Sequence, residues 1–358
     1  MLYNFGAGPS MLPVEVLAKI KADIPNWHGG ISVMECSHRG EEFLEMVAKV
    51  EHNFRHILAI PDSHQVLFFQ GGARAQFSMV PLNLLPPNGI ANYVLTGFWS
   101  QIAFEDACQF GNMEIAATNA PDNFLTIPPE SSWQINPKAS YLHYTDNDSA
   151  DGLEFHQPPQ VDLPLVSDMT SNLLTKPVDF TRYAAIFAST QKNLGIAGLT
   201  VVIVDPQYLH KNNFPKPLLY DYHATMLQHS RINTPPVFAW YVTGLVLEWA
   251  LAQGGILKLQ EKNQRNARRL YKYIDATNFY INKVDPKCRS TINVIFRLQD
   301  PHLEPEFVFQ AKERGLLQLQ GHHAIGGIRV TLNNAMPESG VDALLDFMQD
   351  FANQFADR

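Results

Sequence analysis

A lysine and an acid stand at the ends of two successive apolar runs. Lys192 lies in Ser189-Thr190-Gln191-Lys192-Asn193-Leu194-Gly195, directly after the β-like residues 184–188, and Asp168 closes Val161-Asp162-Leu163-Pro164-Leu165-Val166-Ser167-Asp168. In α/β proteins, ligands gather at the edge of the sheet where such strand ends open. Taken singly, a lysine there is most simply a solvated strand-end charge, and an Asp after a strand most often caps a turn. Taken together, an acid and an amine can face one ligand from opposite sides.

That pairing suits the chemistry of pyridoxal phosphate, in which the lysine condenses with the aldehyde and the acid holds a proton on the ring nitrogen. Trp99, after Gly97-Phe98, offers a flat face for such a ring, although a core tryptophan is the ordinary alternative. Gln70-Gly71-Gly72-Ala73-Arg74-Ala75-Gln76-Phe77 reads as a glycine turn between a strand and a helix. Backbone N–H groups at such a helix start favour an anion. The motif is neither G-x-G-x-x-G nor a Walker loop, so a plain turn and a phosphate cradle both fit it.

These residues need a scaffold. The 358 residues suffice for about two domains. A hydrophobic content of 46% against 17% charged residues is that of a folded chain. With 27 Lys and Arg against 35 Asp and Glu, the net charge of -8 argues against a nucleic-acid or anionic-lipid partner, while leaving room for a local basic pocket. The three cysteines, Cys36, Cys108 and Cys288, are too scattered for a disulfide framework or a zinc cluster. No metal is expected. His322 and His323 are adjacent rather than i, i+4, no H-E-x-x-H occurs, and His143 reads as a hydrogen-bonded core histidine. The start shows no secretory pattern, and the apolar stretch 238–252 is interrupted by Glu248 and shorter than a bilayer span. A cytoplasmic enzyme with no membrane partner is the expectation.

Apolar spacing predicts helices over 13–24 and 41–58 and a helix starting near Arg74. Short β-like runs recur at 65–69, 91–95, 141–144, 163–166, 184–188 and 199–204. Strands spaced by crossovers predict an α/β fold with a mainly parallel sheet. After Gly254-Gly255 the texture changes to a long charged helix over 257–274, β-like runs at 291–296 and 328–332, and a closing helix near 341–351. The expected division is a large domain over 14–255 and a smaller α+β domain over 256–358, joined by an N-terminal segment, 1–13.

With these residues in place, the chain resembles the phosphoserine aminotransferases, pyridoxal-phosphate enzymes of the class V aminotransferase family with fold type I. The resemblance runs nearly end to end. It covers Asn4-Phe5, Gly8-Pro9, Met11-Leu12-Pro13, Ser37-His38-Arg39-Gly40 and the motif 70–77. It continues through Gln191-Lys192-Asn193 and Ala197-Gly198-Leu199-Thr200, then Asn233-Thr234-Pro235-Pro236 with Phe238-Ala239-Trp240-Tyr241. It ends at Gly326-Gly327, Arg329 and Asn334-Ala335-Met336-Pro337.

The resemblance implies pyridoxal 5'-phosphate covalently bound to Lys192, Asp168 on the pyridine nitrogen, Trp99 stacked on the ring and Ser149 near its phenolic oxygen. It implies backbone donors from Ala73 and Arg74 and the side chain of Gln191 on the phosphate. Asn233 and Thr234 would reach that phosphate in the partner's site, making the active form a homodimer. His38, Arg39, His322, His323 and Arg329 would meet the substrate, with Arg39 on the glutamate carboxylate. The implied reaction is ping-pong transamination between glutamate/2-oxoglutarate and 3-phosphohydroxypyruvate/O-phosphoserine in serine biosynthesis. The four-carbon 4-phosphohydroxythreonine of pyridoxal phosphate biosynthesis is a further implied substrate.

Three departures stand out. His323 and Gln320 occupy positions where relatives carry arginine and lysine, Ser149 stands for a threonine, and Ala73 for a glycine. An imidazole donates one hydrogen bond when neutral and two when charged, and a phosphate dianion favours the charged form. His323 is therefore expected to touch the substrate phosphate and to weaken its binding as pH rises, or else to stand behind Arg329. Other readings keep the fold with another amino-acid substrate, use Cys288 for desulfuration, or make the chain a non-catalytic dimer that binds a phosphometabolite through Arg39, Arg74 and Arg329.

Overall fold

The computed structural model describes residues 2–210 and 215–355. A short strand β1 (Tyr3–Asn4) precedes helices α1 (Val14–Asp23) and α2 (Glu41–Leu58). Alternating elements follow: β2 (Gln65–Gln70), α3 (Ala73–Leu84), β3 (Ile90–Leu95), α4 (Phe98–Ala107) and β4 (Asn112–Thr118). Next come β5 (Leu142–Thr145), the paired β6 (Asn147–Asp148) and β7 (Leu153–Glu154), then β8 (Leu165–Asp168), β9 (Tyr183–Ser189) and β10 (Leu199–Val204). Helices α5 (Tyr222–Leu227), α6 (Val237–Ala252) and α7 (Gly255–Asp275) lead to β11 (Tyr280–Ile281), β12 (Asn293–Leu298), α8 (Glu304–Glu313), β13 (Leu316–Leu317), β14 (Ile328–Thr331) and α9 (Glu338–Phe355).

Seven strands form one sheet in the order β2-β10-β9-β8-β5-β3-β4. Pairings from β9 to β4 are parallel, and β10 runs antiparallel to both β9 and β2. The α/β expectation of a mainly parallel sheet is thus met, with β10 as its one reversed strand. Successive residues of β2 sort to opposite faces, Val66 and Phe68 in one apolar core and Leu67 and Phe69 in the other. That two-sided burial is why these strands read as continuous apolar runs. Helix α6 is buried along most of its length, while α7 is amphipathic and packs Leu270 and Ile274 into a separate core with Val294, Phe296, Phe347 and Phe351.

The differences from the sequence reading have local causes. The strand expected at 163–166 starts at Leu165, because Pro164 has no N–H to donate and its carbonyl instead accepts from Leu142 N–H at 2.9 Å. Strand β4 escapes notice because it is a sheet edge with a mostly exposed side. His143 is buried as expected, but neither ring nitrogen has a hydrogen-bond partner among the described residues. It stacks 4.7 Å from Tyr93, and burial pulls its pKa down to about 3, which keeps it neutral. No single helix among the described residues is long and apolar enough to cross a membrane.

The N-terminal segment ties the two cores to the site. β1 lies parallel to β13, and Tyr3 and Phe5 sit in the core built around β12 and β14. A few residues on, Ser10 N–H donates to Gln191 O at 2.9 Å and Ser10 Oγ to Lys192 O at 2.6 Å. Phe5 is fully buried, so Phe5→Ala is expected to cost about 3–5 kcal/mol of stability, read by denaturant unfolding.

Candidate active site

Lys192 lies in the turn that joins β9 to β10, and Asp168 is the last residue of the neighbouring strand β8. Parallel pairing puts the two strand ends on the same edge of the sheet. Asp168 Oδ1 accepts from Thr170 N–H at 2.8 Å. Lys192 Nζ donates to Ser149 Oγ at 2.6 Å. Ser149 comes from the turn between β6 and β7, so three loops converge on one amine.

The electrostatics are those of a dry pocket. Burial pulls the Lys192 amine down to about 8, with Asp168 opposing and the like charge of Arg329 adding to the fall. Burial likewise pushes the Asp168 carboxyl up, against its hydrogen bonds with Thr170 and the charge of Lys192. Lys192 is therefore an amine that can be neutral close to physiological pH, as a nucleophile or base requires.

Around this pair stand most of the other expected residues. Trp99 is in the first turn of α4, on the side where His322 packs, with ring centroids 6.0 Å apart. His322 also lies 4.6 Å from the Phe98 ring and 4.3 Å from His323. Burial pulls the His322 pKa down, and His323, Arg329 and Lys192 add to that. Half-buried Arg329 on β14 points Nη1 at Ser149 O, 3.4 Å away. No carboxylate among the described residues pairs with its guanidinium, which leaves it available to an anion.

The expected anion cradle is a glycine turn that opens a helix. Gly71 has φ +102°, a left-handed conformation that lets the chain turn from β2 into α3 at Ala73. In the first turn of α3, the N–H groups of Ala73 and Arg74 have no carbonyl to pair with inside the helix. Gln191 Oε1 accepts from Ser189 Oγ beside them, and a Cβ on Gly72 would meet that Oγ at 3.9 Å. The Arg74 side chain is engaged elsewhere, with Nε 3.0 Å from Asp106 Oδ2.

Other expected residues lie apart. Asn233 and Thr234 are exposed just before α6, with Gln70 Nε2 donating to Thr234 O at 2.7 Å. Asn233 lines a cavity of about 210 Å³ together with Gln70, Ala75 and the apolar Leu219 and Tyr220. His38 and Arg39 line a separate cavity of about 390 Å³ with His229 and Arg231. Cys288 is buried with its thiol pushed up by burial, which is not the setting of a reactive cysteine. No group of three His, Cys, Asp or Glu among the described residues could hold a metal ion.

Two sets of residues escape the sequence reading. His229 and Arg231 would have been signalled by their closeness to Asn233. Asp148 and Asp151 flank Ser149 and hold the start of α4: Trp99 N–H donates to Asp148 Oδ2 at 3.1 Å and Phe98 N–H to Asp151 Oδ2 at 2.8 Å. Their signal was two acids either side of a site hydroxyl in Asn147-Asp148-Ser149-Ala150-Asp151-Gly152.

The residues present fit pyridoxal phosphate: a buried low-pKa amine, a carboxylate across from it, an indole, a hydroxyl and a helix N-terminus. Comparison with known proteins points the same way. The family model for aminotransferase class-V matches residues 2–344. The phosphoserine aminotransferase of Laribacter hongkongensis (strain HLHK9) is 47% identical over 355 residues, covering 99% of this chain and 99% of that protein. The solved phosphoserine aminotransferase from Bacillus circulans subsp. alkalophilus superposes with a TM-score of 0.95 at 37% identity, covering 99% of both chains. A PLP-bound phosphoserine aminotransferase from Trichomonas vaginalis gives 0.94 at 34% identity, covering 98% of this chain and 100% of that one.

Proposed function

Because the chain belongs to the class-V aminotransferases, and within them to the phosphoserine aminotransferases, we propose that Lys192 binds pyridoxal 5'-phosphate covalently and moves the substrate's proton. The observation that carries this is the buried Lys192 amine, lowered to about 8 and held at 2.6 Å by Ser149 Oγ beside Asp168. When bound, the cofactor supplies an electron sink for the charge left at the substrate's Cα.

The chain's own residues do the rest. Lys192 Nζ, once free and neutral, would take the proton from Cα and deliver it to the carbon on the far side of the substrate's nitrogen, as general acid–base catalysis requires. Ser149 fixes Nζ at the start of that transfer. Asp168 keeps a proton on the ring nitrogen, so negative charge can flow towards it. Trp99 gives the ring a face to lie on, and the amides of Ala73 and Arg74, with Gln191, take the phosphate at the positive end of α3. Arg329 offers a planar fork to the substrate carboxylate. His322 and His323 border the same space.

Asn233 and Thr234 of the partner subunit complete the phosphate cradle in a homodimer. The cavity with His38 and Arg39 then serves the second copy's site, where Arg39 takes the distal carboxylate of glutamate. His229 and Arg231 line that cavity too, so two guanidinium groups face it. The substrates are the glutamate/2-oxoglutarate and 3-phosphohydroxypyruvate/O-phosphoserine couples. The same pocket chemistry also suits 4-phosphohydroxythreonine.

The test is the visible absorbance of cofactor-loaded protein titrated with O-phosphoserine, glutamate and serine. O-phosphoserine and glutamate are expected to bleach the band at low concentration, and serine is not. An unchanged band with O-phosphoserine would overturn the substrate while leaving the cofactor site intact. At the phosphate end, His323→Ala is expected to raise KM for O-phosphoserine about tenfold and His323→Arg to lower it, with KM for glutamate moving less than twofold. Loss of a charge-assisted hydrogen bond has about that size. Equal changes for both substrates would place His323 outside the phosphate subsite.

A further inference from the structure

Two acids that the transamination does not use sit beside the site. Asp148 and Asp151 project from the turn that carries Ser149, a turn closed by Gly152 N–H on Asp148 O at 2.8 Å. Both carboxyls converge on the Cα of Gly97. A Cβ placed there would fall 2.5 Å from Asp151 Oδ2 and 2.6 Å from Asp148 Oδ2. Asp148 is fully buried. Its Oδ2 accepts from Trp99 N–H at 3.1 Å and Ser100 N–H at 3.2 Å, while its Oδ1 has no hydrogen-bond partner among the described residues. Asp151 Oδ2 accepts from Phe98 N–H at 2.8 Å.

The two carboxyl groups converge on one backbone carbon, close enough for a proton on one to be shared with the other. A carboxyl–carboxyl hydrogen bond needs one proton, and two buried like charges in contact cannot both stay ionised. We propose that Asp148 carries that proton and shares it with ionised Asp151, and that the pair is a positioning unit for Trp99 and Ser149. Three backbone amides at the start of α4 are held by the pair, and Trp99 is the second residue of that helix. Ser149, one residue from Asp148, holds Lys192 Nζ. One proton thus joins the ring-stacking face and the catalytic amine in a single rigid element. This rests on the roles proposed above for Trp99 and Lys192.

The setting favours the assignment to Asp148. Burial is the main force pushing its carboxyl up, and the charge of Asp151 adds to it. Asp151 is partly compensated by the Phe98 amide and by the bond from Asp148. The other charged and titratable groups against this element are Lys192 and Arg329 around Ser149, and His322 and His323 against Phe98 and Trp99. All four are cations when protonated, so they favour the ionised carboxylate, and it is burial with the charge of Asp151 that opposes them at Asp148.

The substitution Asp148→Asn preserves this arrangement: its amide oxygen can take the backbone donors, and its NH₂ can replace the O–H towards Asp151. It is expected to keep kcat within about threefold of wild type. It should also keep the near-ultraviolet circular dichroism contributed by Trp99, isolated by subtracting the Trp99→Phe spectrum in cofactor-free protein. Asp148→Ala is expected to change that Trp99 signal and to lower kcat about 10- to 100-fold with KM for glutamate within twofold, the size of a displaced catalytic geometry. Should Asp148→Ala not fold, Asp151→Ala makes the same test through the Phe98 amide.

A readout independent of activity follows from the proton itself. The unfolded chain releases the Asp148 proton above about pH 4, while the folded chain keeps it. Stability from this group therefore falls as pH rises, until the folded pair titrates. The wild-type unfolding constant divided by that of Asp148→Asn should grow about tenfold per pH unit over that window. A ratio that stays flat with pH, or a Trp99 signal unchanged in both alanine variants, would overturn the proposal. Loss of activity in Asp148→Asn with an intact Trp99 signal would overturn it as well. A failure of Lys192→Ala to lose turnover would instead sink the site reading, leaving these proton readouts unaffected.

Discussion

Lys192→Ala is expected to lower transamination turnover by at least about 10⁴-fold, the upper range for a positioned general base. The variant should still take up pyridoxal phosphate, because the helix α3 cradle, Asp168 and Trp99 are untouched, but it should lack the visible band that wild type gives on loading. The reason is the single amine. The turn after β9 places Nζ beside Ser149 Oγ, at 2.6 Å, and burial brings it down to about 8. Its pH dependence has a definite sign. The neutral amine is the nucleophile, so the rate at which cofactor-free protein captures pyridoxal phosphate should rise with pH through about 8 and then level off. Lys192→Ala should show no such rise. Small added amines are expected to restore part of the lost turnover, since they can enter the space vacated by the side chain. Normal turnover in the alanine variant would refute the assignment outright.

How much of this was legible in the chain depends on which interactions are local. Lys192 and Asp168 stand out because each ends an apolar strand, and strand ends on one edge of a parallel sheet must be neighbours. Their strand order follows from the chain, β8 next to β9, with only a short crossover between them. Helix α2 is legible to the residue because its amphipathic stripe is long and Gly40 precedes it. The glycine turn at 71–72 is legible as a turn, but its use as a cradle depends on Gln191, over a hundred residues away. Only the family resemblance joins the two in advance.

What stayed hidden is non-local or negative. The acids at 148 and 151 look like ordinary turn residues, and nothing near them in the chain says that their oxygens meet the start of α4. His143 was expected to hold a hydrogen bond, and instead it is stacked and unpartnered. Periodicity reports which face a side chain takes and says nothing about whether a partner awaits it there. The reversed direction of β10 is equally silent, since antiparallel and parallel core strands share the same apolar composition. The contact between the end of β14 and the lysine turn is also long-range. Asn334 N–H donates to Asn193 Oδ1 at 2.9 Å and Asn334 Nδ2 to Leu174 O at 2.9 Å, which joins the end of β14 to the lysine turn.

Asp168→Asn should show the second largest effect, a fall in kcat of about 10²- to 10³-fold with the cofactor still bound. That is the usual size when one preorganised group stops stabilising developing charge. An amide keeps the shape of the carboxyl and can accept from Thr170 N–H as Asp168 does at 2.8 Å, so folding is expected to survive. What it lacks is negative charge. In the wild type, Thr170 donates to the carboxylate and Lys192 lies nearby, both opposing the upward push that burial gives its pKa. With pyridoxal phosphate bound, a protonated ring nitrogen would give the carboxylate a further cation and Asp168 would favour charge taken up by the ring. An asparagine would leave the nitrogen free to lose its proton, and the ring would then accept charge poorly. The loss should therefore appear in kcat for both half-reactions, with KM for glutamate changed less than threefold, because Arg329 and Arg39, proposed above to take the substrate's anionic groups, are untouched. Removal of Asp168 should also lower the Lys192 amine further, since Asp168 now holds it up against burial. In Asp168→Asn, the pH midpoint for cofactor capture should accordingly move below about 8. A midpoint that moves upward, or a kcat within tenfold of wild type, would show that Asp168 does not face the ring.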